Sequence, residues 1–162
     1  MMKKRIVFFV LAAALLVLSA CGGSPSGGTD PVALGKDLTE QAESLPDMTV
    51  VSSETADGEE LFPYLSSMDY SKVAGYYLAY ASAGTAEEIA VIRVRNAADA
   101  NEARASLEKH LQDRQGIFRV YNPEQSAMVD KARISVHGDT VALIICTNAD
   151  DVDIAFREAV EG

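Results

Sequence analysis

Three patterns of apolar and polar positions divide this chain. The first is an uninterrupted apolar run over residues 6–18, led by Lys3, Lys4 and Arg5 and followed by small residues. A helix of that length reaches only about 20 Å, short of the roughly 30 Å hydrocarbon core of a bilayer, so it reads as a signal peptide rather than a permanent span. The second pattern is helical. Asp30 and Pro31 supply a capping acid and a first-turn proline, Leu34, Leu38, Ala42 and Leu45 recur at helical spacing, and Pro46 ends the segment. Ala100, Ala103, Leu107, Leu111 and Phe118 form a longer stripe that Tyr121, Asn122 and Pro123 break, and residues 150–160 predict a closing helix. Leu61, Phe62, Leu65 and Met68 predict a short one.

The third pattern is that of strands. Residues 73–82 and 88–96, joined by a turn at Ala83, Gly84 and Thr85, predict a hairpin, and residues 49–52 a short extra strand. Residues 132–137 alternate, with Ala132, Ile134 and Val136 on one face and Arg133, Ser135 and His137 on the other. Gly138 and Asp139 turn the chain into residues 140–147, whose continuous apolar run suits a central strand covered on both sides. At an offset of 52 residues, Ile89, Ala90, Val91 and Ile92 fall on Val141, Ala142, Leu143 and Ile144. Asn96 and Asn148 then stand where each could cap a following helix. The expected fold is therefore α+β: an antiparallel sheet built from two ββα units, with helices packed mainly on one face, plus an N-terminal helix. Residues 31–162 are expected to form one such domain.

The small residues after the first apolar run contain Leu18, Ser19, Ala20 and Cys21. Ordinary signal peptidase cleavage wants small residues at −1 and −3, and Leu18 is too large for the second place. Leucine three before a cysteine resembles the lipobox of bacterial lipoproteins. That resemblance implies that residues 1–20 are removed and that Cys21 is the lipid attachment site, with acyl chains of the palmitate type. Two such chains, at about 0.8 kcal/mol per buried CH₂, suffice for stable anchoring. The competing reading is a plain secreted protein whose first cysteine is incidental. Residues 21–30, rich in Gly and Ser, read as a flexible tether.

Charge narrows the partners. Loss of Lys3, Lys4 and Arg5 leaves 11 basic against 24 acidic residues, a formal charge of −13. Such a chain is repelled by nucleic acid and by anionic headgroups, so no nucleic-acid partner is expected and the membrane is engaged through lipid alone. Acylated Cys21 leaves Cys146 without a disulfide partner, and its place at the end of an apolar run reads as that of a small buried hydrophobe.

Catalytic signals are sparse. Glu87 and Glu88 point to opposite faces if both lie in the strand, and read as a turn-exposed acidic pair. Asn148, Asp150, Asp151 and Asp153 lack the glycine and glutamate of a calcium loop, and read as acids at a helix N-terminus. His110 and His137 have no metal-spaced partner, and no phosphate loop or nucleophile elbow occurs, so no cofactor or metal is expected. One constellation stands out. Arg93 and Arg95 share a strand face, Arg133 and His137 share another, and together they would make an anion-binding patch on an open sheet surface. The bland alternative is a set of cross-strand ion pairs. Tyr76 and Tyr80 fall on one face of their strand and Tyr77 on the other, so at least one set belongs to the core.

The segment from Thr85 to Val91, the long helix, Tyr121 to Glu124 and the strand from Gly138 to Cys146 together resemble a family of small bacterial lipoproteins known as domain of unknown function 4358. The resemblance spans roughly residues 34–160. It implies an extracytoplasmic lipoprotein on the bacterial cell membrane and carries no functional residue. The function expected is a non-catalytic binding or interaction module of the cell envelope, with an unknown protein or small-molecule partner. The rivals are a hydrolase with an unrecognised site and a structural subunit of a membrane complex.

Overall fold

A computed structural model describes residues 28–162; the expected signal peptide, Cys21 and most of the expected tether lie outside the described residues. The first helix, α1 (Pro31–Gln41), begins where expected: the Asp30 carboxylate accepts from the Val32 amide at 3.0 Å, with Pro31 in the first turn. Val32, Leu34 and Leu38 form its buried face. Gly35 lies on that face because a Cβ there would stand 2.2 Å from Cδ1 of Tyr77, so only a glycine lets the helix lie against the ring.

Strand β1 (Met48–Ser52) leads to α2 (Gly58–Leu61) and a 3₁₀ turn at Phe62–Tyr64. The helix expected through Met68 is thus shorter and earlier, since Pro63 lacks the amide that would continue it. The hairpin forms as β2 (Val73–Ala81) and β3 (Glu88–Val94). Helix α3 (Ala100–Tyr121) runs unbroken through Gly116; a further short helix, α4 (Pro123–Val129), starts on the proline that ends it. Strands β4 (Arg133–His137) and β5 (Thr140–Ile145) turn on Gly138, whose φ is 56°. Helix α5 (Ala149–Glu161) closes the chain.

The five strands form one sheet in the order β1-β2-β3-β5-β4, every neighbouring pair antiparallel. The α+β class, the antiparallel sheet, both ββα units and the N-terminal helix are present. The helices do not gather on one face. Ala90, Ile92, Val94, Val141, Leu143 and Ile145 pack under α3 together with Phe62, Leu65 and Met68. On the reverse side Ile89, Val91, Ala142, Ile144 and Tyr77 pack under α1 and α5. Both faces must be covered because β5 is buried at every position and β3 at all but Arg93.

Tyr76 and Tyr77 are both core residues, one in each layer. The Tyr76 hydroxyl donates to the Gly58 carbonyl at 2.5 Å, and its ring meets Phe62 and Tyr70 edge-on. The ββα echo is incomplete at its caps. Asn96 accepts from the Ala98 amide at 3.0 Å, but Asn148 makes no side-chain cap to its own helix. Asn148 instead bonds Glu43 and Gln41, tying the end of α1 to the start of α5.

Candidate functional site

The four residues of the expected anion patch do not form one surface. Arg93, Thr140 and His137 are cross-strand neighbours on β3, β5 and β4, and with Arg95 they line a shallow polar depression at one end of the sheet. Arg133 lies at the other end of β4 and pairs with Asp150 of α5 at 2.5 Å. Ser135, between them, bonds Asp153 of α5. The polar face of β4 is therefore one that α5 packs against, which is why it is not an open surface. Within the depression Arg93 is engaged: Nε donates to Asp139 at 3.0 Å, and Nη1 to the Gly28 carbonyl at 3.1 Å. Arg95 donates to the Ser71 carbonyl.

The other end of the sheet holds a different constellation. Glu87 and Glu88 are not an exposed pair; both are buried, and they point to opposite layers. Glu88 shares the parity of Ala90 and Ile92, so its carboxylate enters the layer under α3. There His110 Nε2 stands 2.7 Å from its Oε1, and Arg114 Nη1 3.1 Å from its Oε2. His110 and Arg114 are one helical turn apart, so α3 presents both on the same side. Arg114 also donates to the Ala86 carbonyl at 2.9 Å, and its guanidinium lies 5.2 Å from the Phe118 ring centre. The carboxylate is sealed, with 2% of its side chain exposed, whereas His110 and Arg114 reach the surface of a cavity at 19% and 18%.

That cavity, about 340 Å³, is lined by Val51, Leu61, Tyr64, Leu78, Tyr80, Glu88, His110 and Arg114. Its apolar walls come from β1, β2, the end of α2 and the turn after it, its polar floor from β3 and α3. The size falls within the range of small-ligand pockets, and apolar walls around a few fixed polar groups are their usual chemistry. The sequence held a signal for this floor: Glu88 shares its parity with the apolar positions of β3, and His110 and Arg114 flank the buried stripe of α3 at helical spacing. Nothing in it joined the two elements.

The Glu88–His110 pair has the geometry of a carboxylate that orients an imidazole base. Among the described residues no hydroxyl or thiol hydrogen-bonds His110. The nearby Ser66 and Ser106 hydroxyls bond each other at 2.7 Å and accept from the Met68 and Ser67 amides. Cys146 is on the other layer, where burial pushes its thiol up to about 11, away from the nucleophilic thiolate. No group of His, Cys, Asp and Glu among the described residues is arranged to hold a metal ion. None of the described helices is long and apolar enough to cross a membrane.

The family model described as a domain of unknown function (DUF4358) matches residues 49–146. That stretch contains every residue lining the cavity and leaves out α1 and α5. No curated protein and no solved structure matches the chain.

Proposed function

The chain belongs to the DUF4358 family, and from that premise we propose that it is a lipid-anchored, extracytoplasmic binding module of the bacterial cell envelope whose ligand site is the cavity over Glu88, His110 and Arg114. The observation that carries this reading is the placement of the cavity relative to the tether. Gly28, where the tether joins the described fold, touches Arg93 near one end of β3, while Glu88 begins the same strand. Seven residues of strand at about 3.3 Å each separate the two ends by roughly 20 Å. From Cys21 to Gly28 the chain reaches at most about 25 Å. With Cys21 lipidated, the chain would enter the fold at the Arg93 end, and the cavity lies at the opposite end of the strand, clear of the attachment point. The net negative charge of the domain agrees with anchoring by lipid rather than by surface attraction.

Two observations favour other readings less strongly. The Glu88–His110 pair suits a hydrolase, but lacks a hydrogen-bonded nucleophile. Ile117, Val120 and Tyr121 form an exposed apolar stripe at the end of α3 and suit a structural subunit, but the stripe is small. The test is a photo-crosslinking residue at position 64, on the cavity rim, in intact cells carrying either native Cys21 or Cys21→Ser. The expected result is membrane-retained protein with a crosslinked adduct for native Cys21, and release or an uncleaved signal for the variant. Normal processing and retention of Cys21→Ser would refute the anchor; absence of any adduct at position 64 would refute the site.

A further inference from the structure

Resting on that reading of the cavity, we propose that its ligand is a small amphipathic carboxylate, an apolar or aromatic body bearing one acid group, docked with the acid on Arg114. The polar atoms that the floor presents select this chemistry. Glu88 is the only acid in the lining; it is sealed, and each of its oxygens already has a cationic or imidazole partner. A ligand ammonium therefore meets no open carboxylate. Arg114 has five N–H bonds, and Glu88 and the Ala86 carbonyl account for two of them. Its Nε is buried with no partner. Tyr64 and Tyr80 also line the cavity, and their hydroxyls have no hydrogen-bond partner among the described residues.

Charge points the same way. Glu88 balances Arg114, so the floor carries no net negative charge to oppose a ligand carboxylate. Arg forks suit a planar carboxylate, whose two oxygens accept parallel bonds. Val51, Leu61 and Leu78 offer such a ligand only apolar contact, so its body carries no charge. The chain's 24 acidic against 14 basic residues repel acidic polymers, which favours small acids over them.

The experiment uses the full-length protein in nanodiscs, with empty nanodiscs as control, and compares 3-phenylpropionate, 3-phenylpropanol and 3-phenylpropylamine by ligand-observed saturation-transfer NMR. The acid is expected to bind at least tenfold more tightly than the alcohol or amine. Arg114→Gln and Tyr64→Ala should each weaken it at least fivefold. Tyr64 is 77% exposed, so its variant keeps the fold if Arg114→Gln does not, and circular dichroism reports which variants are folded. Equal or tighter binding of the amine or alcohol, lost in Tyr64→Ala, overturns the acid preference and leaves the cavity as the site. Binding of no probe, or binding unchanged in folded Tyr64→Ala, overturns both.

Discussion

The two ends of strand β3 each carry an arginine paired with a carboxylate, and the two arginines are almost equally exposed, 17% for Arg93 and 18% for Arg114. Their acids differ. Asp139, the partner of Arg93, keeps 29% of its side chain in solvent, and Glu88 keeps 2%. Water can therefore solvate Asp139 when its partner leaves, and cannot solvate Glu88. Carboxylate burial, more than the presence or distance of the arginine, separates a surface ion pair from an internal one that cannot lose a partner cheaply. The Arg93 end is thus a solvated rim beside Gly28, while the Glu88 end has a fixed floor on which apolar walls can stand.

The largest effect should come from breaking the sealed pair. Arg114→Met leaves Glu88 buried without its arginine partner and should cost about 3–5 kcal/mol in urea unfolding. Glu88→Leu combined with Arg114→Met should recover most of that loss, since a packed apolar pair avoids the stranded charge. A single-variant cost below about 1 kcal/mol would erase the distinction between the two ends.

A smaller effect tests whether depth has the same consequence for groups that are neutral at pH 7. Burial raises the Tyr76 phenol from 10.0 to about 12 and the Cys146 thiol from 9.0 to about 11, one in each layer of the fold. Both are neutral when protonated, so the folded state holds these protons more tightly than the unfolded chain does. Their contribution is complete below the unfolded values and is lost as pH rises through the folded ones. Urea stability should fall between about pH 9 and pH 12, and the fall should be shallower in Cys146→Ala and in Tyr76→Phe. An unchanged slope in both variants would show that depth does not set these protonations.

The smallest effect belongs to the rim. Arg93→Met should cost no more than about 1 kcal/mol, and the cost should shrink in 1 M salt. A loss matching that of Arg114→Met would mean that the Arg93 pair depends on its arginine no less than the Glu88 pair does.

Much of the fold was legible in local pattern. Both ββα units, the Asp30 cap, the assignment of Tyr76 and Tyr77 to opposite layers, and the turn at Gly138 follow from spacing and turn chemistry that neighbours in sequence impose. The expectation of helices mainly on one face missed what β3 and β5 themselves imply, because unbroken apolar strands require cover on both sides. The anion patch failed at Arg133 because alternation places a residue on a face but does not say which helix covers that face. Glu87 and Glu88 look exposed in sequence because their place beside a turn suggests solvent, yet α3 lies over the one that became the floor of the cavity.

The sequence by itself determined most of the elements, the alternation within each strand, and the layout around Cys21 that motivates an anchored reading. Tertiary structure alone decided the strand order, which sets β5 between β3 and β4, and the meeting of Glu88 with His110 across 22 residues of sequence and with Arg114 one turn further on. The physical reason is that periodicity fixes which side of an element a residue occupies, within a few residues. The partner across the gap is chosen by packing of the whole core, where α3 settles against the sheet and brings its two polar positions over the one carboxylate that the strand had turned inward.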